Sequence, residues 1–316
     1  MAKITLYDEE DFIATNNSTS GSEATETSVA NEEREHTIEP EAPIGSAGGY
    51  TSGANDTVTI ADPSPVIILF GAGSSGKTMT LIRMTRFLIA QGYKVVPERT
   101  FRDSRDTHYQ KMCDNFTTIV NSTKAPGRNQ VIDFMLVKVM DNMGRTVCQL
   151  LEAPGEHYFD PNFPNRPFPT YINTISQAPN RRTWIFIVEK DWLNQSDRNH
   201  FAQKITDLQR LYVNARDKVI FTCHKADLHQ HYMQGGNYNT PLFFKDIHNQ
   251  YPNIFSQYRE NRPIVSWFKP YNFDFVPFSA GLFTDDGEGG KQFVASNDST
   301  PRKLWSAIEK SVKGGW

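Results

Sequence analysis

The sequence predicts an α/β fold with a mostly parallel central sheet and helices on both of its faces. From about residue 65, short apolar runs alternate with longer stretches of helical periodicity, which is typical of parallel strands joined by helices. The apolar run 66–70 leads through a Gly- and Ser-rich octet directly into one such helical stretch. Polar residues follow three later apolar runs, at the strand ends where an open α/β sheet places its ligand.

The first 64 residues differ in composition from the rest of the chain. They hold thirteen Asp and Glu against two Lys and Arg, and because the 316 residues together carry −3, residues 65–316 carry +8. Large apolar residues are few in this part, so it cannot bury enough surface to offset the entropy of ordering it. We therefore predict a mostly disordered acidic tail over 1–64 and a single folded domain over 65–316.

One segment of the tail is an exception. Residues 4–13 place apolar residues on both sides of four consecutive acids. Such a segment can order on a protein partner or on the basic part of its own chain. A solvated tail with incidental apolar residues explains the pattern equally well.

The elements of the domain follow from apolar runs and the residues that end them. Strands are predicted over 66–70, 131–139, 146–151, 184–188, 218–223 and 273–278. Helices are predicted over 77–91, 106–120, 198–215, 242–258 and 301–313. Residues 92–97 are taken as the end of the first helix, and 141–144 as a hairpin turn. Five prolines make 153–169 a long loop, and 284–298 is a Gly- and Asp-rich excursion.

The octet after the first strand matches G-x-x-x-x-G-K-[ST], the Walker A phosphate loop, without deviation. Its glycines let successive backbone N–H groups face a triphosphate, and the following helix adds the partial positive charge of its N-terminus. Lys77 is expected to reach the β- and γ-phosphates and Thr78 to bind Mg²⁺. The predicted phosphate-binding residues are Gly71, Ala72, Gly73, Ser74, Ser75, Gly76, Lys77, Thr78 and Met79.

Three further motifs stand directly after later strands. They are Glu152-Ala153-Pro154-Gly155-Glu156, His224-Lys225-Ala226-Asp227 and Ser279-Ala280-Gly281. In this order they resemble the D-x-x-G, [NT]-K-x-D and S-A-x elements of the P-loop GTPase superfamily, in its Ras-like and translation-factor-like branches. The resemblance spans residues 65–315. It implies a G domain that binds GTP or GDP with Mg²⁺ and signals through two switch loops.

Guanine selectivity is assigned to the second and third of these motifs. The Asp227 carboxylate can accept both the ring N–H and the exocyclic amine of guanine, whereas adenine would leave one oxygen unpaired. The resemblance implies that the stem of Lys225 lies across the base and that His224 ties this turn to the phosphate loop. It also implies that the Ala280 N–H reaches the guanine carbonyl oxygen, with Ser279 and Gly281 beside it.

The sequence departs from the family pattern at three positions. His224 replaces Asn or Thr, a change that can lower nucleotide affinity or base selectivity, and Glu152 replaces the metal-side Asp. Glu156 replaces the Gln that orients water in Ras-like proteins. A carboxylate beside the γ-phosphate repels it, although one with a raised pKa can act as a general base. We therefore expect slow GTP hydrolysis. The catalytic candidates are Lys77, Gly155, Glu156 and His157.

The resemblance also implies a first-switch threonine that binds Mg²⁺. Thr123 fits this position best, with Thr117 and Thr118 as rivals, and the proline-rich segment 153–169 is the expected second switch. The predicted metal ligands are therefore Thr78, Thr123 and Glu152.

Composition narrows the remaining function classes. Three separate cysteines, no apolar run of 18 residues and no signal-peptide pattern favour a cytoplasmic protein. The sequence has no stripe of interleaved basic and aromatic residues, the pattern that would indicate nucleic-acid binding. The three departures from the family pattern leave open a second function, that of a pseudo-GTPase scaffold or assembly subunit. A third possible function is that of an ATPase or nucleotide kinase, although Lys225 and Asp227 argue against it. The protein partner is an unknown effector, which could bind through the acidic tail.

Overall fold

The computed structural model describes residues 56–122, 132–190, 192, 194–234, 237–251, 253–267, 269–285 and 291–313. Nearly all of the predicted acidic tail, including segment 4–13, lies outside these residues, so the tail stays a prediction. Thr123 also lies outside them.

Seven strands form the central sheet in the order β2-β3-β4-β1-β5-β6-β9. Their bounds are β1 Val66–Phe70, β2 Lys94–Pro97, β3 Met135–Met140, β4 Thr146–Glu152, β5 Arg182–Val188, β6 Lys218–Cys223 and β9 Asp274–Pro277. β4, β1, β5, β6 and β9 run parallel, and β3 is antiparallel to both of its neighbours. Every residue of β1 and β5 is buried, as central strands covered on both faces require. The predicted fold class is confirmed.

Helices surround this sheet in two groups. Their bounds are α1 Lys77–Ala90, α2 Thr107–Asn121, α3 Gly155–Tyr158, α4 Thr170–Gln177, α5 Gln195–Tyr212, α6 Thr240–Gln250, α7 Pro263–Ser266 and α8 Ser299–Lys313. α1 packs with α2 and α8, whereas α4 packs with α5. Two short hairpins complete the described part, β7 Met233–Gln234 with β8 Asn237–Tyr238 and β10 Gly281–Asp285 with β11 Lys291–Ala295.

Two strand predictions need correction. Residues 94–97 are not the end of a helix but the edge strand β2, which pairs antiparallel with Val137–Met140. Four residues are too few for a visible alternation, so the partner strand decides this element rather than local sequence. Likewise, the predicted excursion 284–298 contains strand β11, and β10 ends within it. Among the described residues these two strands pair with each other, and their apolar stretches, 282–283 and 293–295, are too short to stand out as strands.

Two helix predictions also need correction. α6 ends at Gln250, not at residue 258, and Pro252 explains this because proline disfavours the helical conformation in the residue before it. Helix α4 was not predicted at all. It begins directly after Pro169 and buries Tyr171, Ile172 and Ile175 at helical spacing. The proline-rich loop directly before it made the helical spacing of these apolar residues hard to recognise in the sequence.

Two buried threonines, one in strand β6 and one in helix α1, differ in whether the hydroxyl has a hydrogen-bond partner. Thr222 is fully buried and donates a hydrogen bond to the Val276 carbonyl oxygen at 2.7 Å, whereas the buried hydroxyl of Thr85 has no partner among the described residues. We expect Thr222→Val to lower the free energy of unfolding by about 1–3 kcal/mol because it leaves that carbonyl short of a donor. Thr85→Val should be neutral or slightly stabilising. Urea unfolding measures both, and equal effects would contradict this assignment.

Candidate nucleotide-binding site

The phosphate loop, residues 71–78, lies between the buried strand β1 and the first turn of α1. Gly76 has φ of 88°, the left-handed region that glycine adopts without strain, and α1 begins at the next residue. The Lys77 ammonium donates to the carbonyl oxygens of Gly71 at 3.0 Å and Ala72 at 2.7 Å. The lysine side chain therefore folds back over the loop. Met79, the last predicted member, packs against the hydrophobic core.

Lys77 is a buried cation close to several carboxylates. Its side chain is buried, and this burial lowers its pKa. Four carboxylates oppose that shift through their charges, those of Glu152, Glu156, Glu189 and Asp133. A second cation would therefore be favoured here.

A pair of oxygen donors meets at the start of α1. The Thr78 hydroxyl donates to Glu152 Oε1 at 2.9 Å, and Glu152 is the last residue of β4. Glu152 is 2 % exposed, its Oε2 has no hydrogen-bond partner among the described residues, and burial raises its pKa to about 7. A buried carboxylate beside a hydroxyl fits Mg²⁺, a hard cation that takes oxygen ligands. This fit supports the prediction for Thr78 and Glu152.

The segment after Glu152 lies directly on the phosphate loop. A Cβ added at Gly155 would stand 2.2 Å from the Gly73 nitrogen and 2.4 Å from the Ala72 carbonyl carbon, so only glycine fits there. Glu156 follows and is exposed, and a Cβ on Gly73 would come within 2.9 Å of its Oε1. The structure thus brings Gly155 and Glu156 to the loop.

His157, the fourth catalytic candidate, faces an aromatic cluster. It is 7 % exposed, and its Nδ1 lies 3.3 Å from the Tyr171 hydroxyl. The Phe134 and Tyr171 rings each lie 5.6 Å from its own. These contacts give His157 a packing role in the aromatic cluster, and its catalytic role stays a prediction that they do not support.

The base turn, residues 224–227, meets the third motif at the ends of β6 and β9. The Ser279 hydroxyl donates to Asp227 Oδ1 at 2.5 Å, and the Ala226 N–H donates to the Phe278 carbonyl oxygen at 3.1 Å. Lys225 has φ of 54°, and its ammonium pairs with Glu189 Oε1 at 3.2 Å. Asp227 and Ser279 are therefore brought together, although 52 residues separate them.

His224 connects this turn to the phosphate loop. It is 4 % exposed, and its Nε2 lies 2.6 Å from the hydroxyl of Thr80 on α1. A Cβ added at Gly76 would stand 2.5 Å from its Nδ1, so the imidazole packs directly on the loop glycine. Burial lowers the pKa of His224 to about 3, and the ring is neutral at pH 7.

Ala280 and Gly281 are placed differently from each other. Ala280 is partly exposed beside Ser279, and its carbonyl oxygen accepts from Ser296 at 3.2 Å. Gly281 begins strand β10 with φ of 136°, and a Cβ there would stand 2.2 Å from the Val294 carbonyl oxygen. Close strand pairing therefore accounts for this glycine. Its predicted contact with nucleotide has no support from these distances.

Sequence reasoning missed two polar residues of the site. Glu189 directly follows β5 and orients Lys225, and it could have been found by the same strand-end argument as the motifs. Thr80 could not, because a threonine inside a helix carries no recognisable signal. Its partner His224 comes from 144 residues away.

The depressed pKa of His224 predicts an acid-dependent loss of stability. Between pH 6.5 and 3 the unfolded chain protonates this imidazole while the folded protein keeps it neutral, so its stabilising contribution, complete above pH 6.5, falls with pH. His224→Gln removes this titration. From pH 7 to pH 5, the free energy of unfolding of the wild type should fall by about 2 kcal/mol more than that of the variant. Parallel urea-unfolding profiles across this range would contradict the neutral imidazole.

Comparison with known proteins gives structural neighbours only. No family model matches the sequence, and no curated protein matches it. A nucleolar GTP-binding protein 1 of Plasmodium falciparum is similar in structure at 15% identity and a TM-score of 0.39, over 82% of this chain and 91% of that one. The signal recognition particle receptor SRb-GTP/SRX complex of Chaetomium thermophilum is similar at 12% identity and a TM-score of 0.36, over 78% and 97%.

Both neighbours are GTP-binding proteins by their descriptions. The structure of this chain shows a mostly parallel sheet in which the octet with the Walker A pattern joins β1 to α1.

The helices were also compared with the length of a membrane span. Within the described residues, none combines enough length with enough apolar character to cross a bilayer.

Proposed function

We propose that the protein binds GTP and GDP with Mg²⁺ and hydrolyses GTP slowly. The observation that carries the proposal is the placement of Asp227. Its carboxylate is held by Ser279 at 2.5 Å, in a turn that packs on the phosphate loop through His224. Oxygens with two lone pairs each can still accept two guanine donors beside the Ser279 hydroxyl.

Each residue of the site has a chemical role in this proposal. Lys77 exchanges its two carbonyl partners for phosphate oxygens, and the loop N–H groups donate to the same anion. Thr78 and Glu152 would hold Mg²⁺, which neutralises phosphate charge when bound. Lys225, held by Glu189, covers the base with its aliphatic stem.

Slow hydrolysis follows from the group at position 156. The Glu156 carboxylate lies at Gly73, close to where a γ-phosphate would stand, and like charges repel. Glutamine would orient water there without this repulsion. We infer that Gly155 and Glu156 must move from the loop when triphosphate binds, which makes this segment the second switch.

A pseudo-GTPase scaffold is the second candidate, and the Glu156 carboxylate favours it. Single-turnover hydrolysis separates the two. The proposed GTPase converts bound GTP to GDP within minutes to hours, whereas a scaffold keeps it intact. In both cases an effector that binds through segment 4–13 stays a prediction, as does a cytoplasmic location.

Competition between nucleotides tests the proposed function. Fluorescent GDP is displaced with GTP or ATP, in the presence of Mg²⁺, from the wild type and from Asp227→Ala. We expect GTP to compete at least about a hundredfold better than ATP with the wild type, and this preference to shrink to less than about tenfold in the variant. Equal competition by ATP, unchanged in Asp227→Ala, would contradict a guanine site and leave only a phosphate site.

A further inference from the structure

Thr80 contacts both the phosphate loop and the base turn. It is 1 % exposed, and its hydroxyl donates to the Gly76 carbonyl oxygen at 2.8 Å. The same oxygen lies 2.6 Å from His224 Nε2. A hydroxyl has one proton, and assigning it to the Gly76 carbonyl oxygen makes His224 the donor of the second bond. With this assignment the ring is the neutral tautomer that carries its proton on Nε2.

The imidazole is also fixed on its other sides. A methyl group at Gly76 would stand 2.5 Å from Nδ1 and 3.1 Å from Cε1. The ring of Phe278 lies 4.9 Å away at an interplanar angle of 30°, and the Phe278 N–H donates to the Cys223 carbonyl oxygen at 2.9 Å. His224 thus fills the space between the loop glycine and the strand end that precedes Ser279.

We propose that Thr80 is a positioning residue for guanine binding, because its bond with His224 fixes the base turn to the phosphate loop. The inference rests on the proposed function. It also predicts which residues can replace the histidine. Nε2 is four bonds from the Cα atom, a reach that the glutamine amide shares, whereas the asparagine amide ends one bond shorter. Asparagine, the residue of the family motif, therefore cannot make this bond from the same backbone position.

Variant proteins test this role through the affinity for fluorescent GDP. We expect Thr80→Val and His224→Asn each to weaken binding about tenfold, and the double variant to be no weaker than His224→Asn. His224→Gln should recover several-fold of the affinity lost in His224→Asn. Thr85→Val, the control on the same helix, should bind like the wild type.

Inorganic pyrophosphate separates positioning from general damage to the loop. It binds the loop without touching the base turn, so Thr80→Val should change its affinity less than twofold. Equal losses of GDP and pyrophosphate affinity would make Thr80 a structural residue of the loop and overturn the inference. So would GDP affinity in Thr80→Val equal to that of Thr85→Val.

Nitrogen-15 NMR of the histidine rings adds a readout that needs no nucleotide. The ligand-free wild type should show the His224 signal of a neutral ring protonated at Nε2, and Thr80→Val should alter it. Protonation at Nδ1 would overturn the inference even if the protein binds GDP. A wild type that bound no GDP would overturn the proposed function, and this role with it.

Discussion

Lys77→Ala is expected to weaken GTP binding about a hundredfold or more. The variant loses a charge-assisted contact to the β- and γ-phosphates, and no other lysine or arginine in the described phosphate loop can replace it. The carbonyl oxygens of Gly71 and Ala72 also lose their donor, which leaves the loop free to change shape.

Titration with fluorescent GTP measures this effect. Lys94→Ala is the control, since that side chain is exposed at the start of β2, and it should bind GTP like the wild type. The account would be contradicted if Lys77→Ala kept its affinity within threefold while it remained folded by circular dichroism.

Gly155→Ala should have the second large effect. Its methyl group would stand 2.2 Å from one backbone atom of the loop and 2.4 Å from another, and backbone cannot yield as a flexible side chain does. We expect overpacking to lower the free energy of unfolding of the ligand-free protein by about 1–3 kcal/mol. After the segment moves to admit the triphosphate, the methyl group should still hold it about an ångström from its productive position, which slows GTP hydrolysis about a hundredfold.

Urea unfolding and single-turnover hydrolysis measure the two consequences. Gly92→Ala is the control, because a Cβ at Gly92 would meet no atom within 4 Å. The left-handed φ of 88° is then the one source of strain for alanine at this position. The substitution should cost about 1 kcal/mol and leave hydrolysis unchanged. Normal stability and hydrolysis in Gly155→Ala would show that the segment does not rest on the loop in solution.

The sequence was informative where local pattern and chemistry coincide. The buried run of β1 with the Walker A octet predicted a loop between strand and helix, and the strand-end argument placed Asp227 and Ser279 at the same edge of the sheet, where they are in contact. It failed at elements that depend on a distant partner. Strand β2 forms because it pairs with β3. Helix α4 forms because its apolar face is buried in the core, and the proline-rich loop before it made its helical spacing hard to recognise.

The contact between His224 and Thr80 could not be derived from spacing. The resemblance implied that His224 ties the base turn to the phosphate loop, but the partner that it contacts there, Thr80 on α1, carries no signal in the sequence. Packing in three dimensions also places the imidazole against Gly76 and Phe278.

The central claim is that Asp227 recognises the guanine base. Comparing the binding of guanine and xanthine nucleotides by the wild type and by Asp227→Asn tests it most directly. Xanthine carries a carbonyl oxygen where guanine has its amine, so it needs a donor where Asp227 offers an acceptor. In the variant, Ser279 would hold the amide oxygen and turn the amide nitrogen toward the base. The account predicts that the wild type binds GDP at least about tenfold tighter than xanthosine diphosphate, and that the variant inverts this order. Equal binding of both nucleotides by wild type and variant would contradict recognition of the base by Asp227.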